Sequence, residues 1–177
     1  MWIKKFTLVV LLISQHGAFA QETNDKKVFT IYLIRHAEKE SSPTDSRDPF
    51  LSDCGTLRAE SLAEFFEKVD LEAMYSTDYN RTRNTAKPTA TSKGVKVKSY
   101  NPRALEDFAL KLVNLKQNAL VVGHSNTTGA LAALLADQSV DESYSMGENI
   151  YNRIYQVVIY KDARQLQLLQ SVFVCAN

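Results

Sequence analysis

Two histidines occupy the same setting in this chain, because each follows a strand-like apolar run. His36 comes after Val28–Ile34 and directly after Arg35, and His124 closes the run Ala119–Gly123. Ligands of open α/β sheets bind beyond the carboxyl ends of the strands, so the pattern predicts one site that holds both imidazoles. An arginine beside an imidazole indicates an anion, and phosphate is the anion that this pair favours.

The chemistry expected at such a site is phosphoryl transfer. A phosphoryl group in transfer spreads negative charge over its oxygens, and Arg35 and Arg81 can each offer a planar fork to two of them. Backbone amides after His124, at the start of the next predicted helix, favour an anion as well. A neutral imidazole such as that of His36 can attack phosphorus, provided that its second ring nitrogen donates to a carbonyl and so fixes the tautomer.

Strand-like and helix-like segments alternate along the chain. The patterns predict strands at 28–34, 71–75, 95–100 and 118–122, and helices at 56–69, 80–92, 103–116 and 126–136, the second helix kinked near Pro88. Residues 154–160 and 165–174 are predicted to close the fold as an antiparallel pair. This order predicts a three-layer α/β/α sandwich around a mainly parallel sheet.

The first twenty residues are typical of an export signal. Lys4 and Lys5 precede the short apolar stretch Phe6–Ile13, and residues 18–20 (Ala-Phe-Ala) form an A-x-A cleavage site. The stretch is shorter than the roughly 20 apolar residues that span a bilayer, so we expect no stable membrane insertion after cleavage. The expectation is a signal peptide at 1–20, a single domain at 21–177, and a periplasmic or secreted location.

Net charge and cysteine spacing argue against two classes of function, nucleic-acid binding and metal binding by cysteines. Removal of Lys4 and Lys5 leaves 19 of the 21 Lys and Arg residues against 20 Asp and Glu residues, for a net charge of −1. That balance argues against nucleic acid as a partner. Cys54 and Cys175 have no metal-ligand spacing; in an exported protein they could form a disulfide or remain two separate thiols.

Four segments resemble the motifs of the histidine phosphatase superfamily, the phosphoglycerate-mutase-like fold, and they occur in that family's order. They are 33–39 (Leu-Ile-Arg-His-Ala-Glu-Lys), 51–59 (Leu-Ser-Asp-Cys-Gly-Thr-Leu-Arg-Ala), 76–86 (Ser-Thr-Asp-Tyr-Asn-Arg-Thr-Arg-Asn-Thr-Ala) and 123–127 (Gly-His-Ser-Asn-Thr). The resemblance implies a phosphoglycerate-mutase-like sandwich and a metal-independent phosphomonoesterase that needs no cofactor and acts on a small phosphorylated substrate. Ala37 stands where the family usually has glycine.

Roles follow from the resemblance at the matching positions. His36 is the expected nucleophile, which becomes phosphohistidine, and the phosphate pocket is expected to consist of Arg35, Arg81, His124 and Asn126. Arg83 competes with Arg81 for its role, but the motif spacing favours Arg81, and residues two apart on a helix do not share a face.

The general acid is expected at Glu106, with His124 as the second catalytic histidine. In many relatives a glutamate after a leucine, following the middle strand, protonates the leaving oxygen, and Leu105-Glu106-Asp107 stands in about that place. The alternative is that Glu106 is a solvated residue in a helix's first turn, favoured there by the dipole. Glu38 is then the next candidate.

Three other functions remain open at this point. A phosphate-binding module could keep the pocket without turnover, a phosphohistidine-protein phosphatase could use the same site, and a zinc hydrolase could use both histidines but lacks a clear third ligand. The lack of a long insertion favours hydrolysis over a mutase, which must shield its intermediate from water. Specificity is expected in residues 40–50 and 143–152, which leave sugar phosphates, lipopolysaccharide phosphates and small phosphate esters as candidates.

Overall fold

The protein is described by a computed structural model that covers residues 27–42, 47–141 and 144–175. The expected signal peptide lies outside these residues. Strands and helices alternate through the first eight elements, followed by two further strands: β1 (Phe29–Arg35), α1 (Asp53–Phe65), β2 (Ala73–Ser76), α2 (Asn80–Lys93), β3 (Val97–Ser99), α3 (Leu105–Leu115), β4 (Ala119–Gly123), α4 (Thr128–Leu135), β5 (Arg153–Tyr160) and β6 (Ala163–Gln170). In the described part of the chain, no helix has both the length and the apolar character needed to cross a membrane.

A six-stranded sheet in the order β3-β2-β4-β1-β5-β6 forms the centre of the fold. The first four strands of this order pair in parallel, whereas β5 is antiparallel to β1 and β6 is antiparallel to β5. The predicted mainly parallel sheet with a closing antiparallel pair is therefore confirmed. The site lies where the parallel strands β1 and β4 end side by side.

Helices cover both faces of the sheet, which gives the predicted three layers. Successive side chains of a strand point to opposite faces, and β1 follows this rule at Leu33 and Ile34. Leu33 packs in a core with Phe108 of α3, on the side that also holds α4. Ile34 packs in a second core with Leu62 of α1, on the side that also holds α2. β1 is thus buried on both faces, as its continuous apolar run predicts.

Helix α1 begins three residues earlier than its apolar pattern suggests. The Ser52 side chain accepts a hydrogen bond from the Gly55 amide and caps the helix. A Cβ atom at position 55 would lie only 2.1 Å from the Glu38 carbonyl oxygen, so only glycine permits this approach. The capped end of α1 thereby packs against the segment that follows His36.

The last strand is shorter than predicted, because the chain leaves the sheet after Gln170. The Arg58 guanidinium donates to the Phe173 carbonyl over 3.1 Å, and Cys175 forms a disulfide with Cys54 across a Cα–Cα distance of 5.7 Å. Of the two alternatives left open for the cysteines, the structure has the disulfide. It joins the end of the described chain to the first turn of α1.

Candidate active site

The sheet register brings the two histidines together. Arg35 pairs with Gly123 at the ends of β1 and β4, and the His36 amide donates to the Gly123 carbonyl over 2.9 Å. The imidazole of His36 consequently lies 5.6 Å from that of His124, measured between ring centroids. The prediction of one site holding both imidazoles is confirmed.

Backbone contacts fix the orientation and tautomer of His36. Its Nδ1 lies 2.8 Å from the Ala37 carbonyl oxygen. A carbonyl only accepts, so Nδ1 carries the proton and Nε2 keeps a free lone pair. The Ala37 amide in turn donates to Thr85 Oγ1 over 2.9 Å, which anchors the segment to α2. The contact expected from the sequence for a reactive imidazole is therefore present.

His36 is a neutral imidazole over most of the pH range. Only 4% of the residue is exposed. Burial lowers the pKa of His36 to about 3, against an opposing effect of the Ala37 hydrogen bond and with further lowering by the charges of Arg35, Arg81 and His124. A neutral imidazole is the form that can act as a nucleophile.

A chain of hydroxyl groups orients His124. Thr82 Oγ1 lies within hydrogen-bond distance of two backbone carbonyls, those of Thr77 and Tyr79, so its own proton is donated there. It therefore accepts from Thr77 Oγ1 at 2.9 Å, and Thr77 Oγ1 accepts from His124 Nε2 at 2.9 Å. The opposite nitrogen, Nδ1, faces Arg81 Nη2 at 3.5 Å. Burial, followed by the charges of Arg81 and Arg35, lowers the pKa of His124 to about 4.

Arg35 is buried and held at one end of its guanidinium. Nη1 donates to three backbone carbonyls, those of Gly147, Glu148 and Ile150, and Nη2 donates to Glu148 Oε2 over 2.8 Å. The Tyr151 ring packs on its face at 4.3 Å. The buried Nε has no hydrogen-bond partner among the described residues, which leaves this donor for an anion beside His36.

Arg81 is the arginine of α2 that reaches the site, as the motif spacing predicts. Its guanidinium packs over the Tyr79 ring at 4.6 Å, and Nη1 lies 3.6 Å from Asp48 Oδ1. The buried Nη1 has no hydrogen-bond partner within the ranges that the structure covers. Arg83 instead pairs with Asp78 at the exposed surface.

A pocket of about 370 Å³ joins these groups. Its lining is mostly polar and consists, in chain order, of Arg35, His36, Lys39, Tyr79, Arg81, Pro102, Arg103, His124, Ser125, Asn126, Thr127 and Glu148. Four of these side chains are cationic and one is acidic, so the pocket attracts anions. Asn126, a predicted phosphate contact, lies exposed at this pocket.

Only some of the backbone amides that follow His124 are available to bind an anion. The Thr127 and Thr128 amides both donate to the His124 carbonyl, over 3.1 and 3.0 Å. The structure shows no such backbone bond for the Ser125 and Asn126 amides within the described ranges. An anion at the pocket could therefore be met by the amides of the turn rather than by those of the helix that follows.

The structure does not bring Glu106 to the histidines. Glu106 lies exposed in the first turn of α3 and lines a neighbouring depression. The pocket's wall on that side is formed by Pro102 and Arg103. The position matches the solvated first-turn alternative, and the general acid expected there is not part of the histidine pocket.

Glu38, the other candidate for the general acid, forms an ion pair with Arg58 outside the pocket. The Arg58 guanidinium donates to its carboxylate through Nε and Nη2, at distances between 2.6 and 3.0 Å. Both side chains are largely buried. Glu38 therefore links the segment after His36 to α1 and does not line the pocket.

Glu148 is a site residue that the sequence alone did not single out. Its segment, 143–152, was expected to carry specificity, but no motif surrounds the residue. Its carboxylate contacts Arg35 and also accepts from Ser125 Oγ at 2.9 Å. The segment before β5 brings this residue to Arg35 across 113 positions, and no local sequence pattern marks that contact.

One group of three metal-ligating side chains occurs in the described part of the chain. It consists of Glu38, Cys54 and Cys175, and its two sulfur atoms are joined to each other. Across the described ranges, neither histidine belongs to such a group. The pocket's positive charge comes from side chains of the protein.

Comparisons with known proteins agree with this architecture. A sequence model of the histidine phosphatase superfamily (branch 1) matches residues 31–108. No curated protein matches the sequence significantly. The matched range includes three of the four motif segments, together with His36, Arg35 and Arg81.

Several solved structures share the fold. A mycobacterial glucosyl-3-phosphoglycerate phosphatase superposes with a TM-score of 0.65 at 14% identity, over 81% of this chain and 98% of that one. The alpha-ribazole phosphatase from Shigella flexneri gives 0.67 at 15% identity, over 84% and 100%. The protein histidine phosphatase SixA, complexed with tungstate, gives 0.66 at 13% identity, over 80% and 97%. The chain is therefore similar in sequence to the histidine phosphatase superfamily over residues 31–108, and it shares the fold of these phosphatases.

Proposed function

We propose that this protein is a phosphatase that hydrolyses phosphate monoesters through a phosphohistidine on His36. The observation that carries the proposal is the tautomer of His36, whose Nδ1 is bonded to the Ala37 carbonyl so that Nε2 has a free lone pair. Support also comes from the shared fold with phosphatases.

The reaction has two steps. In the first, Nε2 of His36 attacks phosphorus, the N–P bond forms, and the bond to the ester oxygen breaks with its electron pair leaving on that oxygen. In the second, water attacks phosphorus, orthophosphate leaves, and the pair of the N–P bond returns to Nε2. The charge on the phosphoryl oxygens is met by Arg35 and Arg81, with Asn126 as a further donor, and His124 Nδ1 faces Arg81 and helps to hold that arginine at the site.

The reaction is proposed to need no metal ion. Arg35 Nε and Arg81 Nη1 are buried and make no hydrogen bond to another described residue, so they supply donors and positive charge at the site. Phosphohydrolases that use metals obtain the same stabilisation from the ion. Activity that is lost in EDTA and restored by zinc or magnesium would place the protein in that other class.

Export is part of the proposal. The sequence of residues 1–20 supports it, and so does the Cys54–Cys175 disulfide, because disulfides persist mainly in oxidising compartments. The substrate is then a small phosphorylated compound of the periplasm or the medium. A cytoplasmic phosphohistidine-protein partner fits this location less well.

The test uses the protein beginning at Gln21 and the activated ester 4-nitrophenyl phosphate. The wild type should release 4-nitrophenolate in excess EDTA over many turnovers. His36→Ala should be folded, by circular dichroism, and lose activity by several orders of magnitude, since the covalent route is removed. A variant that retains a tenth of the activity would refute the role of His36, and a wild type that binds phosphate without turnover would be a binding module.

A further inference from the structure

A single carboxylate among the described residues lines the histidine pocket, that of Glu148. Glu106 lies at the neighbouring depression, and Glu38 is held by Arg58. Asp48 accepts from the Asn80 amide at 2.8 Å and does not line the pocket. Any proton transfer by a carboxyl group of these residues therefore falls to Glu148.

Hydrogen bonds hold Glu148 as an ionised carboxylate. Its Oε1 accepts from Ser125 Oγ at 2.9 Å, and its Oε2 accepts from Arg35 Nη2 at 2.8 Å. The Ser125 bond and then the Arg35 charge lower the pKa of Glu148, with a smaller contribution from the charge of Lys39. At neutral pH the group accepts a proton rather than donating one.

Glu148 lies at the open side of the pocket. Its side chain is 75% exposed, whereas that of Arg35 is 2% exposed and His36 is 4% exposed. A phosphoryl group on His36 Nε2 has the pocket floor behind it, so water attacks from the exposed side, in line with the N–P bond. Arg35 donates to the Glu148 carboxylate, and Arg35, His36 and Glu148 all line one pocket, so a phosphoryl group on His36 shares that pocket with the carboxylate.

We propose that Glu148 is the general base for the second step, which rests on the proposed phosphohistidine route. The water oxygen forms a bond to phosphorus while one of its protons passes to the Glu148 carboxylate. The N–P bond breaks, and its electron pair returns to His36 Nε2. The proton on Glu148 then passes to solvent, which its exposure allows.

The first step receives no proton from an ionised Glu148. The leaving group therefore departs as an anion unless solvent protonates it, and that favours esters of acidic alcohols and phenols over simple alkyl esters. An aryl phosphate is accordingly a suitable probe. Its phenol leaves without a general acid, so the effect of a change at Glu148 is measured in the second step.

The test is Glu148→Gln, which keeps the shape of the side chain and removes the base. With 4-nitrophenyl phosphate in a rapid-quench experiment, the first equivalent of 4-nitrophenolate should still appear. Steady-state turnover should fall about 10²-fold or more, the usual size of general base catalysis. Base-stable, acid-labile phosphohistidine should then accumulate to nearly one per chain. The matched control is Glu60→Gln, the same change at an exposed position of α1, which should behave like the wild type.

A second variant separates catalysis from the positioning of Arg35. Glu148→Ala should also accumulate phosphohistidine, and added formate should speed its hydrolysis by supplying a carboxylate. A positioning role predicts instead a slower first step, a higher KM, no accumulation and no rescue, and that result would overturn the assignment while leaving the phosphatase intact. If neither wild type nor variants form phosphohistidine, the proposed function itself fails.

Discussion

Nδ1 of His36 lies 2.8 Å from the carbonyl oxygen of Ala37, the next residue in the chain. The contact ties the reactive ring to its own backbone, so the tautomer is set by local geometry rather than by a distant partner. The backbone amide of Ala37 donates a hydrogen bond to Thr85 Oγ1. The proposed nucleophile is therefore held in one tautomer by the protein itself.

The first prediction concerns acid pH. The pKa of His36 is lowered to about 3 and that of His124 to about 4, so both rings stay neutral well below the ordinary value. After correction for ionisation of the substrate's phosphate, kcat/KM should remain level as the pH falls from 7 to about 5, and decline only near pH 4. A decline centred near pH 6.5, the usual histidine pKa, would mean that the active ring is not buried as described.

The same shifts predict how stability changes with pH. A histidine with a lowered pKa in the folded state binds its proton more readily when unfolded, so stability falls as the pH drops below about 6.5 towards the folded-state values. His36→Asn removes one such group and should show a smaller drop in melting temperature between pH 7 and pH 4. Equal drops for both proteins would contradict the burial of a neutral His36.

The two arginines of α2 should differ sharply. Arg81→Ala removes a donor at the pocket and should lower kcat about 10²- to 10³-fold, the range found for loss of one donor to a developing anion. Arg83→Ala removes an exposed guanidinium that pairs with Asp78, and it should keep nearly full activity. Steady-state kinetics of both variants on one substrate make the comparison, and similar losses would mean that the site extends to Arg83.

The sequence allowed much of this site to be predicted, because its main residues follow strands with clear β-branched and aromatic patterns. His36 and His124 are examples, since a parallel pairing of β1 and β4 places them side by side. The Thr77–Thr82 hydroxyl chain could not be foreseen, because it depends on side-chain rotamers at a loop and a helix start. Glu148 could not be foreseen either, because its contact with Arg35 spans 113 positions and has no motif.

Other differences have equally local causes. The end of β6 was predicted at Val174 from its apolar composition, but Arg58 and the disulfide draw residues 171–175 towards α1. Glu106 was expected as the acid from its place after Leu105. The chain turns at Pro102 and Arg103 before α3 begins, and this turn leaves Glu106 facing a separate depression.

Glu106 provides a prediction with two substrates. Because it lies outside the pocket, Glu106→Gln should change the hydrolysis of an alkyl phosphate and of an activated aryl phosphate by the same small factor. If Glu106 were the general acid, its loss would slow hydrolysis of the alkyl ester about 10²-fold more than hydrolysis of the aryl ester, because the alkoxide needs a proton on leaving. That unequal loss would bring Glu106 back as the acid.

The disulfide should contribute substantially to stability. Loss of a native disulfide typically costs about 2–5 kcal/mol, and about 2–4 °C of melting temperature corresponds to each kcal/mol in a domain of this size. Cys54→Ser with Cys175→Ser should therefore melt at least several degrees lower than the wild type. Thiol titration of the denatured, unreduced wild type should find no free thiol from these two residues, and two free thiols would refute the bridge.

In the proposed route the phosphoryl group passes through Nε2 of His36, and this intermediate can be trapped. The protein is mixed with 4-nitrophenyl phosphate, quenched in alkali within milliseconds, digested and analysed by mass spectrometry. A phosphohistidine route predicts a phosphoryl group on the peptide that contains His36, stable in base, lost in acid, and absent in His36→Ala. Turnover without any phosphorylated His36, or with the label on another residue, would contradict it.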